Sequence, residues 1–194
     1  MTVQVSYKNK ISSNNIVLFV DHIFNTKPIE KYLTKIELNY INGLIKHKDL
    51  KKNFYLFEIN SKKKIILISL KKNLEAFEIE NLGADFYNFI KTNNFSKLSI
   101  NSHTIKNEFQ DNPTGRFLHG LKLKAYEFNF YKYKKNKNLI LIDVFTKKNN
   151  NTIKNEIRFK ALEEGTNFAR DLVSEPPNVL NPKEYVKRLL KLRK

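Results

Sequence analysis

The stretch GTNFARDLVSEPPNVLNP, Gly165–Pro182, joins the end of one helix to the start of another. Ahead of the prolines, Ala161, Gly165, Phe168 and Leu172 recur at helical spacing, which predicts an amphipathic helix with this stripe buried. The opposite, solvent-facing side is expected to carry the polar residues Lys160, Glu163, Glu164, Asn167, Arg170 and Asp171.

The double proline predicts a boundary between two structural units. Pro176 and Pro177 disfavour helical geometry in the residues before them, so the helix should end near Ser174 and Glu175–Asn178 should form a short, stiff, extended connector. Asn181, with proline at the first helical position and glutamate at the third, predicts a new helix. We therefore expect an N-terminal α/β domain at 1–174, a Pro-rich connector at 175–181, and the first helix of a second, truncated domain at 182–194.

Apolar runs and helical periodicities alternate along the rest of the chain, which predicts an α/β fold. It would be a three-layer sandwich, with a mixed sheet and helices on both faces. Strand patterns occur at Val3–Val5, Ile16–Val20, Phe54–Ile59, Ile65–Leu70, Leu98–Ile100 and Leu139–Phe145. Helix patterns occur at Pro28–Lys46, Ile79–Ile90, after Asn112-Pro113 and at Lys154–Ser174, while Lys132–Asn138 and Lys147–Asn151 are expected to be solvated loops.

Composition limits the classes of protein that need be considered. The chain has 194 residues, of which 41% are hydrophobic, and it has no cysteine, which excludes a disulfide framework and a thiolate zinc site. The N-terminal residues MTVQVSYKNK do not resemble a signal peptide, and runs such as Ile65–Leu70 are too short to span a bilayer. These features predict a cytoplasmic protein with no membrane partner.

The formal net charge of +17 would attract polyanions, although lysine greatly outnumbers arginine, the residue favoured for bidentate base contacts. One segment interleaves aromatic and basic residues and has two interpretations. It could be a platform for single-stranded nucleic acid, or a crossover whose rings pack in the core, and we favour the second. The residues are Tyr126, Phe128, Tyr131 and Tyr133 with Lys124, Lys132 and Lys134.

A search for catalytic chemistry assigns no catalytic, metal-binding or cofactor-binding residue. The five glycines form no phosphate-binding loop, the four histidines form no HExxH motif, and no GxSxG motif frames a serine. His22, beside Asp21 at the end of a strand, is the best-placed ligand or base, but a loop histidine is the favoured interpretation. Glu163 and Glu164 are adjacent and cannot act as a carboxylate pair on a helix.

The segment GTNFARDLVSEPPNVLNPKEY closely resembles the domain junction of the leucyl aminopeptidase (cytosol aminopeptidase) family, which reads N-x-A-R-D-L-V-N-E-P-P-N-x-L-T-P. Ser174 and Asn181 are mild departures, standing where Asn and Thr are common. A weaker match, Ala125–Phe128 with Tyr131-Lys132, is similar to the family's A-Y-x-F-x-x-Y-K stretch. The matching positions of the junction are Asn167, Ala169, Arg170, Asp171, Leu172, Val173, Glu175, Pro176, Pro177, Asn178, Leu180 and Pro182.

This resemblance implies the N-terminal, macro-domain-like part of a dinuclear-metal exopeptidase that removes N-terminal amino acids from peptides. In that family two divalent metals, zinc or manganese, are held by the C-terminal domain, partly through an N-T-D-A-E-G-R-L motif that this sequence lacks. The resemblance also implies a homohexamer and, in some bacterial members, DNA binding. This chain alone is expected to be inactive and to serve in assembly or regulation.

Two other functions remain open at this stage. One is a stand-alone basic module that binds nucleic acid. The other is a macro-like nucleotide-binding domain, which fold analogy alone suggests and which the scarcity of glycine disfavours.

Overall fold

The computed structural model describes residues 3–47, 50–105, 112–133, 139–146 and 150–193. The strands are β1 (Val3–Lys8), β2 (Ile16–Asp21), β3 (Phe54–Glu58), β4 (Lys64–Leu70), β5 (Lys97–Asn101) and β6 (Ile140–Phe145). The helices are α1 (Lys35–His47), α2 (Ala76–Thr92), α3 (Pro113–Lys124), α4 (Asn150–Ser174) and α5 (Pro182–Leu190).

The six strands form one mixed sheet in the order β1-β6-β5-β2-β4-β3. All neighbours are parallel except β3 and β4, which form an antiparallel hairpin at one edge. The apolar runs predicted to be strands are the strands observed, and they are buried because helices cover them. The predicted α/β class with a mixed sheet is confirmed.

Helices pack on both faces of this sheet. Alternate β2 residues supply the two cores: Val17 and Phe19 face α2 and α3, whereas Leu18 and Val20 face α1 and the short 3-10 helix at Lys27–Tyr32. Strands that read as continuous apolar runs therefore contribute side chains to both layers.

The helix predicted at Pro28–Lys46 is interrupted. A 3-10 helix ends at Tyr32, and α1 begins at Lys35 after a reciprocal cap: the Thr34 amide donates to Glu37 Oε2 at 3.0 Å, and the Glu37 amide donates to Thr34 Oγ1 at 3.3 Å. A Thr-x-x-Glu signature starts a new helix because it satisfies free backbone donors, and the spacing of apolar residues alone does not reveal it.

Two glycines bring α2 and α3 into close contact. A Cβ placed on Gly83 would lie 1.9 Å from the Phe117 carbonyl oxygen, and one on Gly120 would lie 1.8 Å from the Glu80 carbonyl oxygen. Each helix therefore presents a glycine to the backbone of the other. Helix α4 packs against α3.

Candidate functional site

The face of α4 that contacts the domain is polar. The buried Glu163 carboxylate accepts a hydrogen bond from Lys122 Nζ at 3.0 Å and lies 3.5 Å from His119 Nδ1, both on α3. About two turns further along α4, Arg170 Nη1 donates to the Leu123 carbonyl oxygen at 2.6 Å. These bonds attach α4 to α3 through charge, and the Phe159 ring of α4 also packs on α3, with its centre 5.2 Å from that of the His119 ring.

A further bond attaches α4 to the segment after α3. The Tyr126 hydroxyl donates to Asp171 Oδ1 at 2.7 Å, and the Arg170 guanidinium lies 5.5 Å from the Tyr126 ring centre. Burial, with the hydrogen bond to the Asp171 carboxylate, raises the pKa of Tyr126 to about 12. Tyr126 therefore remains a neutral hydrogen-bond donor at physiological pH.

The predicted orientation of α4 is wrong. Glu163 was expected in solvent and is buried, while Asn167, Arg170 and Asp171 are half-buried; only Lys160 and Glu164 lie in solvent as expected. The stripe expected in the core is turned outward. Ala161 and Gly165 are exposed, and Phe168 and Leu172 are only half-buried. An amphipathic pattern indicates that a helix has an apolar face, but buried ion pairs decide which face meets this domain.

The outward side of α4 is apolar over much of its length. We call it the outer face of α4 and define it by six exposed uncharged residues, among which the exposed Arg158 also lies. Ile157, Leu162 and Val173 are 64%, 47% and 87% exposed. The other three members are Ala161, Gly165 and Ala169. A Cβ placed on Gly165 would meet no atom within 4 Å, so no described residue packs against that position.

The connector at 175–181 is a hydrogen-bonded turn, not the extended segment expected from the prolines. The amides of Val179 and Leu180 both donate to the Pro176 carbonyl oxygen, at 2.9 and 3.0 Å. Proline fixes its own φ angle near −65°, which suits the second position of a turn as well as an extended strand. The sequence could not distinguish the two.

Side chains fix the connector at its first residue. The Glu175 carboxylate accepts hydrogen bonds from the Tyr131 hydroxyl and from Arg188 Nη1, the latter at 3.0 Å. These partners, Tyr131 first, lower the pKa of Glu175. Because Tyr131 follows α3 and Arg188 lies on α5, one carboxylate joins the domain, the connector and the final helix.

Helix α5 begins as predicted. Asn181 Oδ1 accepts the Glu184 amide at 3.0 Å, and Pro182 occupies the first turn. No residue of α5 among those the structure describes is buried. The apolar residues of α5 and of the 3-10 turn that follows it, Lys191–Arg193, are between 37% and 64% exposed. They are Tyr185, Val186, Leu189, Leu190 and Leu192.

A small cavity of about 70 Å³ lies beside α3 and α4, near the carboxyl ends of β1 and β6. Tyr7, Lys122, Glu156 and Glu163 contribute to its wall. Burial, with the charges of Glu156 and Glu163, raises the pKa of Tyr7 to about 12. Nucleotide-sized ligands occupy pockets of roughly 300 Å³ or more, so this cavity does not support the nucleotide-binding alternative.

A second polar cluster lies on the sheet. The nearly buried Asp143 carboxylate of β6 accepts hydrogen bonds from Ser6 at 2.5 Å and from Ser12, and pairs with Lys8 Nζ at 2.9 Å. Burial opposes ionisation, but these donors hold the pKa of Asp143 at about 2. A carboxylate this acidic is a poor base, and an ammonium paired with it cannot take a proton from serine. The cluster secures the loop after β1.

Neither cluster was assigned from the sequence, although each has a sequence signal. Asp143 is a charged residue inside the apolar run LILIDVF, and such a residue requires a buried partner. His119 and Lys122 are three apart on a helix and therefore share a face. Their partners, Ser6 and Glu163, lie far away in the chain, so only the fold identifies them.

The other candidate residues occupy ordinary positions. His22 is exposed, and the adjacent Asp21 accepts the Asn25 amide at 2.8 Å, so the pair belongs to a turn after β2. The favoured interpretation of His22 as a loop histidine agrees with this geometry. Glu163 and Glu164 point in different directions, one buried and one exposed, as the helical argument predicted.

The aromatic and basic segment after α3 is more exposed than expected. Tyr133 is fully exposed, Tyr131 is 57% exposed and the adjacent Phe130 is 63% exposed. The favoured interpretation, in which the rings pack in the core, is therefore wrong for Tyr131 and Tyr133, while Tyr126 and Phe128 are half-buried. Lys134 and the rest of the predicted loop to 138 lie outside the described residues, as do 147–149 of the second loop.

Among the described residues, no three histidine, aspartate or glutamate side chains converge into a group that could hold a metal ion. The described part of the chain therefore does not fit the two-metal site that the family resemblance implies. No helix within the described ranges has the length and apolar character needed to cross a membrane.

Comparison by sequence finds relatives that are described as probable cytosol aminopeptidases. Over 84 residues the chain is 36% identical to a probable cytosol aminopeptidase of Phytoplasma mali (strain AT), a match that covers 40% of this chain and 17% of that protein. Over 140 residues it is 29% identical to a probable cytosol aminopeptidase of Rhizobium leguminosarum bv. trifolii (strain WSM2304), covering 69% of this chain and 28% of that protein. No protein-family model matches the sequence.

Comparison by structure gives the same fold. A mutant of tomato leucine aminopeptidase superposes with a TM-score of 0.70 at 14% identity, covering 97% of this chain and 41% of that one. The bottromycin maturation enzyme BotP in complex with Mn superposes with a TM-score of 0.59 at 12% identity, covering 93% and 36%. The chain thus spans well under half the length of the proteins it matches. The chain is thus similar in sequence to probable cytosol aminopeptidases and similar in fold to part of a leucine aminopeptidase.

Proposed function

We propose that this chain is the non-catalytic N-terminal part of a leucyl aminopeptidase, an exopeptidase that removes N-terminal amino acids from peptides in the cytoplasm. Its role is the assembly or regulation of a catalytic domain that is not among these 194 residues. The observation that carries the proposal is the junction itself, where the segment that resembles the domain junction of this family leaves α4 through a hydrogen-bonded turn and enters α5.

In this proposal the metals belong to the catalytic domain. Two divalent ions, zinc or manganese, would be held there, and the solved structure of BotP with Mn is consistent with that metal class. The hexameric assembly expected from the family resemblance is proposed for the full-length protein.

The test is an assay of the purified chain on a leucine anilide with manganese or zinc added. We expect no hydrolysis, because the described residues offer no cluster of metal ligands. A clear metal-dependent rate from the pure chain would refute the proposal. Genomic sequence beyond Lys194 that continues in frame and contains the metal-ligand motif would support it independently.

A second candidate function, nucleic-acid binding, is favoured by one observation. Phe130, Tyr131 and Tyr133 expose their rings beside Lys132 on a chain of formal net charge +17. Exposed rings stack on bases, and lysines attract the phosphate backbone. We expect binding of a single-stranded oligonucleotide to weaken by orders of magnitude over a fourfold rise in salt. Substitution Tyr133→Ala should weaken it further, and no binding at low salt would exclude this function.

A further inference from the structure

We propose that the open edge of strand β3 binds an extended, acidic peptide segment as an additional strand of the sheet. We call this surface the β3 edge and define it by the outward backbone groups of Phe54, Leu56 and Glu58. The inference does not depend on the aminopeptidase assignment, because it rests on the geometry of the sheet and on the charges around β3.

The pairing with β4 determines which backbone groups of β3 face outward. In an antiparallel pair, successive residues alternate between bonding to the partner strand and pointing away from it. The Ser69 amide donates to the Asn53 carbonyl oxygen at 2.9 Å, and the Ile59 amide donates to the Lys63 carbonyl oxygen at 3.0 Å. Both pairs continue the β3–β4 register, so the odd-numbered residues of β3 bond to β4. The three even-numbered residues therefore direct their N–H and C=O groups to the open edge.

The composition of β3 is unusual for a strand at the edge of a sheet. β3 is the last strand in the order of the described sheet, so no described strand pairs with its outer side. Its sequence, FYLFE, is apolar up to the final residue and has no proline, and its register with β4 contains no bulge. Charges within the strand, prolines and bulges are the usual protections of an exposed edge. Their absence from β3 favours a strand that is paired on both sides.

Aromatic rings continue from the β3 edge onto α2. The centre of the Phe54 ring lies 5.7 Å from that of Phe86 and 5.4 Å from that of Phe89, and both Phe54 and Phe89 are half-buried. Alternate side chains of an added strand would lie on the same face of the sheet as Phe54 and would cover these rings. Strand addition obtains affinity from main-chain hydrogen bonds and selectivity from such side-chain contacts.

A groove of about 280 Å³ lies at the amino end of β3. It is lined by Asn53, which precedes the strand, and by Phe77 of α2, which is 57% exposed. A strand paired with the β3 edge would pass this groove and could place one large side chain in it. Charged residues of both signs line the groove, so the Phe77 ring favours an apolar side chain. These charged residues are Lys71, Glu78 and Asp85.

Lysines at both ends of β3 determine the charge of the partner. Lys51 and Lys52 precede the strand, Lys62 lies in the hairpin loop that follows it, and all three are exposed. The one carboxylate on the strand, that of Glu58, is already paired with Lys64. A segment that carries several aspartates or glutamates would therefore be attracted at both of its ends.

The same lysines disfavour a second copy of the chain as the partner. In an antiparallel pair of two β3 edges, the amino end of each strand lies beside the carboxyl end of the other. Lys51 and Lys52 of one copy would then approach Lys62 of the other. Like charges across paired strands are destabilising, and each copy carries a formal net charge of +17.

Amide hydrogen exchange tests the proposal with a short synthetic peptide that alternates glutamate with valine and phenylalanine. At millimolar peptide, exchange at the amides of Phe54, Leu56 and Glu58 should slow by about tenfold or more, because these donors gain acceptors. The amides of Tyr55 and Phe57 face β4 and should change little. A peptide with lysine in place of each glutamate is the control and should protect none of these amides.

Two substitutions at position 58 test the main-chain bonds. Glu58→Pro removes one outward N–H and leaves the bonds to β4, because proline is tolerated on an edge strand where its nitrogen faces solvent. It should weaken binding of the acidic peptide by about fivefold or more in fluorescence anisotropy. Glu58→Thr also removes the carboxylate but keeps the N–H, and it should not weaken binding.

A charge reversal tests the choice of an acidic partner. Lys52→Glu, at the amino end of β3, should weaken binding of the acidic peptide. Lys160→Glu on α4 makes the same change in net charge at an exposed position outside the β3 edge and should have little effect. Circular dichroism of each variant verifies that the fold is retained.

The contrary outcomes are distinct. Unchanged exchange at the three edge amides with millimolar peptide would overturn the proposal, as would equal binding by folded Glu58→Pro and Glu58→Thr. Equal affinity for the lysine peptide would overturn the acidic partner. Slower exchange that depends on the concentration of the chain alone, with a dimeric mass by light scattering, would assign the β3 edge to a second copy instead.

Discussion

Single charged residues hold separate segments of this chain together, and Asp143 is the most acidic of them. Its pKa is about 2 in the folded protein against an ordinary 3.8, so its contribution to stability is complete above pH 4 and is lost as the pH falls through about 2. We expect Asp143→Asn to lower the free energy of unfolding by about 2 kcal/mol at neutral pH.

Urea unfolding at several pH values measures this effect. The difference between the natural chain and the variant should shrink between pH 4 and pH 2, because protonation of Asp143 removes the same charge. The exposed Asp85→Asn substitution serves as the control and should change little at any pH. A deficit independent of pH would show that the carboxylate's charge is not what stabilises the cluster.

Glu163 and Glu164 form a matched pair of neighbours in opposite environments. Glu163→Ala leaves Lys122 and His119 without their buried anion and should cost about 1–3 kcal/mol of unfolding free energy. Glu164→Ala removes only an exposed pair with Lys160 and should cost under about 0.5 kcal/mol. Chemical denaturation of both variants measures the difference, and equal losses would contradict the polar attachment of α4.

At the level of elements, the glycines of two helices have opposite roles. Gly165→Ala should raise the free energy of unfolding of the chain by about 0.5–1 kcal/mol, because its side chain would enter open space on a helix. Gly120→Ala should lower it by several kcal/mol, because its Cβ would overlap the Glu80 carbonyl oxygen. Thermal and urea unfolding of the two variants give the comparison; a loss at Gly165 would mean that the outer face of α4 is already covered in this chain.

The elements themselves were largely predictable, and their partners were not. The run IVLFV became β2 because five consecutive apolar residues can only be buried on both faces. The stripe on α4 was equally visible, but its spacing carries no information about which surface it meets. The ion pair between Glu163 and Lys122 determines which side of α4 faces the domain, and these two residues lie 41 residues apart in sequence. The α3–α4 contact therefore depends on pairs that no local pattern contains.

The path of the connector at 175–181 also depends on residues that are distant in sequence. The prolines fixed where α4 ends, and Asn181 fixed where α5 begins. Whether the residues between them extend or turn depended on the Glu175 carboxylate and its partners from α5 and from the segment after α3. Boundaries were thus readable from the sequence, whereas the path between them was not.

For the whole molecule, the strand order determines when the fold can be completed. β1 precedes the other described strands in the chain, yet its only neighbour in the described sheet is β6, and the Ser6–Asp143 bond between them joins residues 137 apart in sequence. The hairpin of β3 and β4 with β2 can pair much earlier. Because long loops close late, we expect amide protection in pulsed hydrogen exchange to appear in β2–β4 before β1. β1 would then leave the ribosome before the other described strands and yet be among the last of them to become ordered.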